Sequence, residues 1–237
     1  KERCSTRKPL AYLTGTAFFA GLEFYVDENV LVPRSPVAEL ILEGFVPWVS
    51  PPGVRKMLDM CTGSGCIAVA SAQVLEHAQV IAADISEKAL DVAQKNIRKY
   101  GLEDRVSALK TDLFGQVPAI EFDLIVANPP YVSAQEMNEL PEEYRQEPGL
   151  GLASGHDGLD AALQILLDAP RFLGKDGVLI CEVGASDERL AKSLPGVPFL
   201  WLEFARGGSG VFLLTRQQLV EAGPLVAAIM EKKANVA

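Results

Sequence analysis

The chain has 237 residues, 49% of them hydrophobic, and 22 basic side chains against 31 acidic ones leave a net charge of −9. That length suits one substantial core; no apolar run reaches the roughly 18–20 residues of a membrane span, and no charged-then-apolar secretory start is present. Also missing is the basic face with which a protein displaces counterions from nucleic acid, since the densest basic stretch is only Lys1–Lys8. In chain order, the residues from Thr16 to Val32 predict a hairpin, with aromatic and β-branched residues on either side of Ala20-Gly21 and a second turn at Asp27-Glu28-Asn29. Ser35 reads as a helix cap with Pro36 in the first turn, ahead of Glu39, Leu40, Ile41 and Phe45. The proline-rich stretch from Pro47 to Gly53 marks a boundary. Residues 1–50 are expected to form a linker, hairpin and helix, and residues 51–237 the main domain.

Beyond that boundary the rhythm changes. Strands are predicted at Val54–Asp59, Ala78–Asp84, Arg105–Leu109, Phe122–Ala127 and Gly177–Val183. Helices are predicted at Gly65–Glu76, at Glu87–Tyr100 behind a Ser86 cap, and from about Asp157 to Phe172. Such alternation with short turns argues an α/β fold whose parallel sheet is covered on both faces. The late strands Phe199–Phe204 and Gly210–Thr215, joined through Arg206-Gly207-Gly208-Ser209, form an antiparallel pair. A Rossmann-like, seven-stranded sheet with an antiparallel last strand results.

Ligands of such sheets sit beyond the carboxyl ends of the strands. After the first comes Asp59-Met60-Cys61-Thr62-Gly63-Ser64-Gly65, whose glycines let the backbone turn sharply and approach a ligand. Alone, that turn also fits a dinucleotide site or an ordinary strand-to-helix turn. After the second stand Asp84 and Ile85. A carboxylate there can accept both ribose hydroxyls of an adenosine group; the alternative is a helix N-terminal charge beside Ser86. After the third, Asp112 can accept from an adenine amino group while Leu113 or Phe114 lies against the ring. These ends describe a nucleoside pocket without naming its chemistry. After the fourth comes Asn128-Pro129-Pro130-Tyr131. Its prolines remove donors and stiffen the turn, leaving the Asn128 side-chain oxygen and the Pro129 carbonyl as fixed acceptors for both hydrogens of a planar NH2. Tyr131 can pack on the flat face of that group; the alternative is a rigid loop with no chemistry.

The Asn-Pro-Pro-Tyr motif behind a glycine turn resembles the amino-group methyltransferases of adenine, cytosine and glutamine amides. More specific is Leu31-Val32-Pro33-Arg34-Ser35-Pro36, preceded by Pro9-Leu10-Ala11-Tyr12-Leu13, which resembles the bacterial protein-(glutamine-N5) methyltransferases. Arg-Ser-Pro, rather than Arg-Pro-x-Thr-Glu, is similar to the branch that modifies large-subunit ribosomal protein three; the release-factor branch is its sister. Further matches are Cys61–Cys66, Leu140-Pro141 with Glu143-Tyr144-Arg145, Gly151–Gly155 and Trp201–Phe204, so the resemblance spans essentially the whole sequence. Family members carry a helical N-terminal domain that this sequence, beginning at Lys1, lacks; upstream residues are expected to have been trimmed.

The resemblance implies a class I S-adenosylmethionine-dependent methyltransferase, with S-adenosylhomocysteine as product and no metal. It implies that Asp59, Cys61, Thr62, Gly63, Ser64, Gly65, Asp84, Ile85, Asp112, Leu113 and Asn128 touch or border the cofactor. Asn128, Pro129 and Tyr131 are the catalytic candidates, and Pro130 and Arg34 join them toward the substrate. Arg34 has an alternative as a surface ion pair with Glu39 or Glu43. The implied partner is a protein, a basic ribosomal protein or alternatively a release factor, and an acidic surface suits a basic partner. Stable nucleic-acid or membrane binding is not expected. A DNA adenine methyltransferase must flip its base and hold a duplex, which the acidic balance disfavours. A module that merely binds the nucleoside is expected to lose the intact Asn128-Pro129-Pro130-Tyr131 loop. Cys4, Cys61, Cys66 and Cys181, without a histidine cluster, read as reduced thiols of the cytoplasm. His77 reads as structural and His156 takes no part in catalysis. Glu182 borders the pocket without an assigned role, and residues 141–156 are either a lid or an ordinary long connection.

Overall fold

Strands rich in aliphatic residues build a seven-stranded sheet from β3 (Lys56–Met60), β4 (Gln79–Asp84), β5 (Val106–Lys110), β6 (Phe122–Ala127), β7 (Leu173–Glu182), β8 (Leu200–Trp201) and β9 (Val211–Thr215). The computed structural model describes Arg3 and residues 6–235; the Cys4 thiol and part of the basic Lys1–Lys8 stretch lie outside the described residues. Spatial order is β5-β4-β3-β6-β7-β9-β8. All neighbours from β5 to β7 run parallel, whereas β9 enters antiparallel between β7 and β8. The α/β sheet with an antiparallel last strand is the one predicted. Its central strands are covered on both faces: Met57, Leu58, Leu124, Ile125, Val126 and Ala127 are all fully buried. That is why they read as unbroken apolar runs instead of alternating ones.

Ahead of the sheet lie α1 (Leu10–Thr14), a hairpin of β1 (Thr16–Phe19) and β2 (Leu22–Tyr25), and α2 (Val37–Leu42). Positive φ angles at Ala20 (47°) and Gly21 (77°) make the two-residue turn whose twist matches paired strands. Phe19 and Phe24 face inward and join Val37, Leu40, Ile41 and Phe45 against the apolar side of α3 (Cys66–Val74). A polar clasp fixes this arrangement. The buried Asn96 of α4 (Glu87–Lys99) accepts from Tyr25 N at 2.8 Å and donates to Tyr25 O at 2.9 Å and Ser64 O at 2.8 Å. One side chain thereby holds the hairpin to the glycine turn. The Ser86 cap forms as predicted, its hydroxyl accepting from Ala89 N at 3.2 Å.

Several predicted bounds move, each for a physical reason. Gly65 stands outside α3 with φ 78°, and the helix ends at Val74, leaving His77 in the following turn. The helix expected from about residue 157 is α6 (Asp160–Asp168), because the Asp157 side chain takes the Leu159 N–H at 3.1 Å; Pro170 then closes it in a 3-10 turn. Only Leu200–Trp201 of the predicted strand 199–204 pairs as β8, and the link to β9 spans residues 202–210. Glu39 captures the Ala205 and Arg206 N–H groups at 2.9 and 2.8 Å, so they are not offered to β9. The helices α5 (Ala134–Glu139), α7 (Asp187–Ser193) and α8 (Arg216–Ala234) were not predicted. The last begins with a Thr215–Gln218 capping box but contains Pro224. Its buried Leu219, Ala222 and Val226 cover the sheet's other face beside α6. Among the described residues no helix is long and apolar enough to cross a membrane.

Candidate active site

A cleft of about 490 Å³ lies beyond the carboxyl ends of β3, β4, β5, β6 and β7. Its floor begins with the glycine turn, where Cys61, Gly63 and Gly65 all have left-handed φ angles of 60°, 54° and 78°. A Cβ added at Gly63 would meet nothing within 4 Å, so this backbone faces open space. At Gly65 it would stand 3.0 Å from the Ala93 Cβ, so glycine there admits α4. The turn is propped from beneath. Asp59 is fully buried, and its Oδ2 accepts from the Thr62 hydroxyl and from Ala68 N at 3.0 Å. Burial pushes its carboxyl up to about 7 against those two bonds, and its Oδ1 has no hydrogen-bond partner among the described residues. Asp59 and Gly65 lie behind the cleft wall, whereas Cys61, Thr62, Gly63 and Ser64 line it.

Asp84 lines the next wall. Its oxygens accept separately from Gly63 N and Ser86 N, both at 2.9 Å. Burial raises its pKa and those backbone bonds oppose the rise. Each carboxylate oxygen keeps a further lone pair, so acceptors remain for a vicinal diol. Ile85 is 44% exposed and offers a flat apolar surface to the cleft. Asp112 is exposed there too, beside Leu113, whose carbonyl accepts from the Thr111 hydroxyl at 2.8 Å. Of the two ring-packing candidates only Leu113 reaches the cleft; Phe114 is buried and stacks on Phe172 at 4.8 Å.

At the end of β6, Asn128 lines the cleft, its backbone N–H held by Met60 O at 3.3 Å. Among the described residues nothing hydrogen-bonds its side-chain amide. Pro130 and Tyr131 line the cleft, while the Pro129 ring is buried beneath. The Tyr131 hydroxyl donates to Glu182 Oε1 at 3.3 Å, and the Ser35 hydroxyl donates to Glu182 Oε2 at 2.5 Å. Ser35 also accepts from Val37 N at 3.2 Å, a bond at the first turn of α2, whose N-cap position is Pro36 rather than the predicted Ser35.

Arg34 pairs with neither Glu39 nor Glu43. Its Nη1 lies 2.8 and 3.0 Å from the oxygens of Glu147, and its guanidinium sits 4.9 Å above the Tyr144 ring. Glu147, 8% exposed, also accepts from Val32 N at 3.2 Å. Residues 30–35 and the loop after Glu147 both line the cleft and meet through this bridge and through Leu31, which a Cβ on Gly151 would touch at 3.1 Å. The loop at 141–156 carries the 3-10 turns Tyr144–Gln146 and Gly149–Gly151. A Val132–Ala153 bridge ties it to the Asn-Pro-Pro-Tyr loop. Sequence reasoning missed Glu147 and Asp160 as lining or bridging residues; nothing near either in the chain signals it.

The sequence model of the methyltransferase small domain matches residues 40–143. The ribosomal protein uL3 glutamine methyltransferase of Francisella tularensis is 50% identical over 221 residues, which are 93% of this chain and 70% of that protein. That of Xanthomonas campestris is 50% identical over 220 residues, 93% and 71% of the two chains. The chain belongs to this family of methyltransferases.

Solved structures agree on the fold of this methyltransferase. The hMettl16 catalytic domain in complex with a MAT2A 3'UTR hairpin superposes with a TM-score of 0.61 over 81% of this chain and 74% of that one, at 17% identity. A ribosomal protein L11 methylase from Lactobacillus delbrueckii gives 0.54 over 80% and 83%, at 22% identity. At those identities only the architecture is shared.

Proposed function

We propose that this methyltransferase transfers a methyl group from S-adenosylmethionine to the side-chain amide nitrogen of a glutamine in ribosomal protein uL3, the protein named for its relatives. The observation that carries the reading is Asn128, whose unengaged amide faces a cleft that also holds the acceptors of Asp84 and the open backbone of Gly63. When bound, the cofactor supplies an electrophilic methyl on a sulfonium. Asp84 would accept from the ribose hydroxyls, and Asp112, Leu113 and Ile85 would hold the adenine. Asn128 Oδ1 and the Pro129 carbonyl would each accept one hydrogen of the substrate NH2, with Tyr131 against its flat face.

An amide nitrogen is a poor nucleophile because its lone pair is delocalised into the carbonyl. Two acceptors on its hydrogens turn and polarise it. They bind more strongly as positive charge develops on nitrogen, which is selective stabilisation of the transition state. Alignment of the amide nitrogen behind the methyl supplies the rest. The N-protonated product is acidic enough to lose its proton to water, so no side chain is assigned as general base. Cys61, Cys66 and Cys181 are free thiols, in keeping with the cytoplasm, where a ribosomal substrate is met.

The test is incubation of the enzyme with methyl-labelled cofactor and, separately, purified uL3 and release factor, followed by peptide mass spectrometry. One methyl group on a single uL3 glutamine is expected. Label on the release factor alone would reassign the target, and label on neither would end the glutamine reading.

A further inference from the structure

We propose that Glu182 is a positioning residue, whose carboxylate sets the orientation of Tyr131 and ties it to the Ser35 turn, so that one wall of the substrate cleft is held as a unit. The inference rests on the glutamine reading above and extends it to a residue that this reading leaves without a part.

Glu182 ends β7, is 5% exposed, and lines the cleft. It gathers hydroxyls from distant segments: Ser35, 147 residues away, and Tyr131, 51 residues away. An ionised carboxylate only accepts, so both hydroxyls point their hydrogens into it. The Ser35 oxygen already accepts from Val37 N, which leaves that hydroxyl one direction to donate. The residues just after Glu182 grip Tyr131 at other points. A Cβ on Gly184 would lie 2.5 Å from the Tyr131 ring, and Ser186 Oγ donates to Tyr131 O at 2.9 Å. The strand end and the turn after it therefore take the hydroxyl, hold the backbone, and leave room beside the ring edge only for a glycine.

The sheet does not need this side chain. Glu182 already pairs through its backbone with Val211 of β9, and a carboxylate withdrawn from water is a poor stabiliser compared with an apolar residue of similar size. Burial raises its pKa; the two hydroxyls and the nearby Arg34 charge oppose that rise. The placement makes sense as an orienting device for the ring that flanks the carboxamide.

The experiment is a double-mutant cycle on uL3 methylation with E182A, Y131F and the pair, with E182Q as the conservative variant. E182A is expected to lower kcat about tenfold or more through misplacement of the ring, while cofactor affinity by calorimetry stays within about twofold of wild type. E182Q, which keeps an acceptor, should recover most of that loss. In the Y131F background, E182A should cost far less than it does alone. E182A at wild-type kcat and KM overturns the inference, as do effects that multiply independently. Lost cofactor affinity in E182A would also overturn it, by assigning Glu182 to the fold. Unlabelled uL3 with the wild-type enzyme would instead overturn the glutamine reading itself.

Discussion

Asn128 and Asp59 show how differently polar side chains at one set of strand ends behave. Asn128 faces the cleft with its amide unengaged, and its neighbouring prolines keep the loop from adjusting when that amide is cut away. Asn128→Ala is therefore expected to raise the methyl-transfer barrier by about 3 kcal/mol, with a far smaller effect on cofactor affinity. Steady-state kinetics beside calorimetry checks this, and near-normal turnover would remove Asn128 from the chemistry. Asp59 works out of sight. Burial holds its carboxyl at about 7, above the ordinary 3.8, so the folded protein keeps a proton that the unfolded chain has released. The stability contributed by this group is thus full below 3.8 and declines as pH rises toward about 7. Without cofactor, the stability of wild type relative to Asp59→Asn should fall across that window and level off above it. Urea titrations at a series of pH values measure the difference, and a rise with pH would contradict the assignment.

Between elements, the Arg34–Glu147 bridge closes the cleft wall. Glu147 is nearly buried, and both Arg34 and the Val32 N–H depend on it. Glu147→Ala leaves that backbone donor unpaired and frees Arg34, whose side chain is 42% exposed and partly rescued by water. A loss of about 1–2 kcal/mol in urea denaturation follows, together with a raised KM for the protein substrate. Unchanged stability and KM would show that the two walls hold without it. Prediction of the elements themselves followed local signals. Short apolar stretches between helical ones announced β3 to β6 and the second half of β7, whose start at residues 173–176 was not predicted, and Ser86 announced α4. β8 came out shorter than predicted because Glu39, far back in the chain, takes the N–H groups of Ala205 and Arg206. In α8 the Gly223-Pro224 pair breaks the helical pattern, although burial of Leu219, Ala222 and Val226 outweighs it.

For the whole molecule, the cleft joins the hairpin segment, the glycine turn and the strand ends, so cofactor binding is expected to stabilise the entire fold. At about a hundredfold excess over Kd the gain is about 2.7 kcal/mol, roughly 5–10 °C in Tm for a chain of this size. Asp84→Ala should shrink that shift, since hydrogen bonds to a carboxylate contribute about 1.5–3 kcal/mol; an undiminished shift would exclude Asp84 from cofactor binding. By itself the sequence determined the glycine turn, the acidic strand ends, the Asn-Pro-Pro-Tyr loop and the closing antiparallel strand. These depend on backbone preferences and on residues adjacent in the chain. Tertiary structure alone decided that Arg34 meets Glu147, that Ser35 and Tyr131 share Glu182, and that Leu113 rather than Phe114 faces the cleft. Those partners are set by the order of strands and the packing of loops across the sheet, and side chains more than a hundred residues apart carry no mark of each other until the chain has closed.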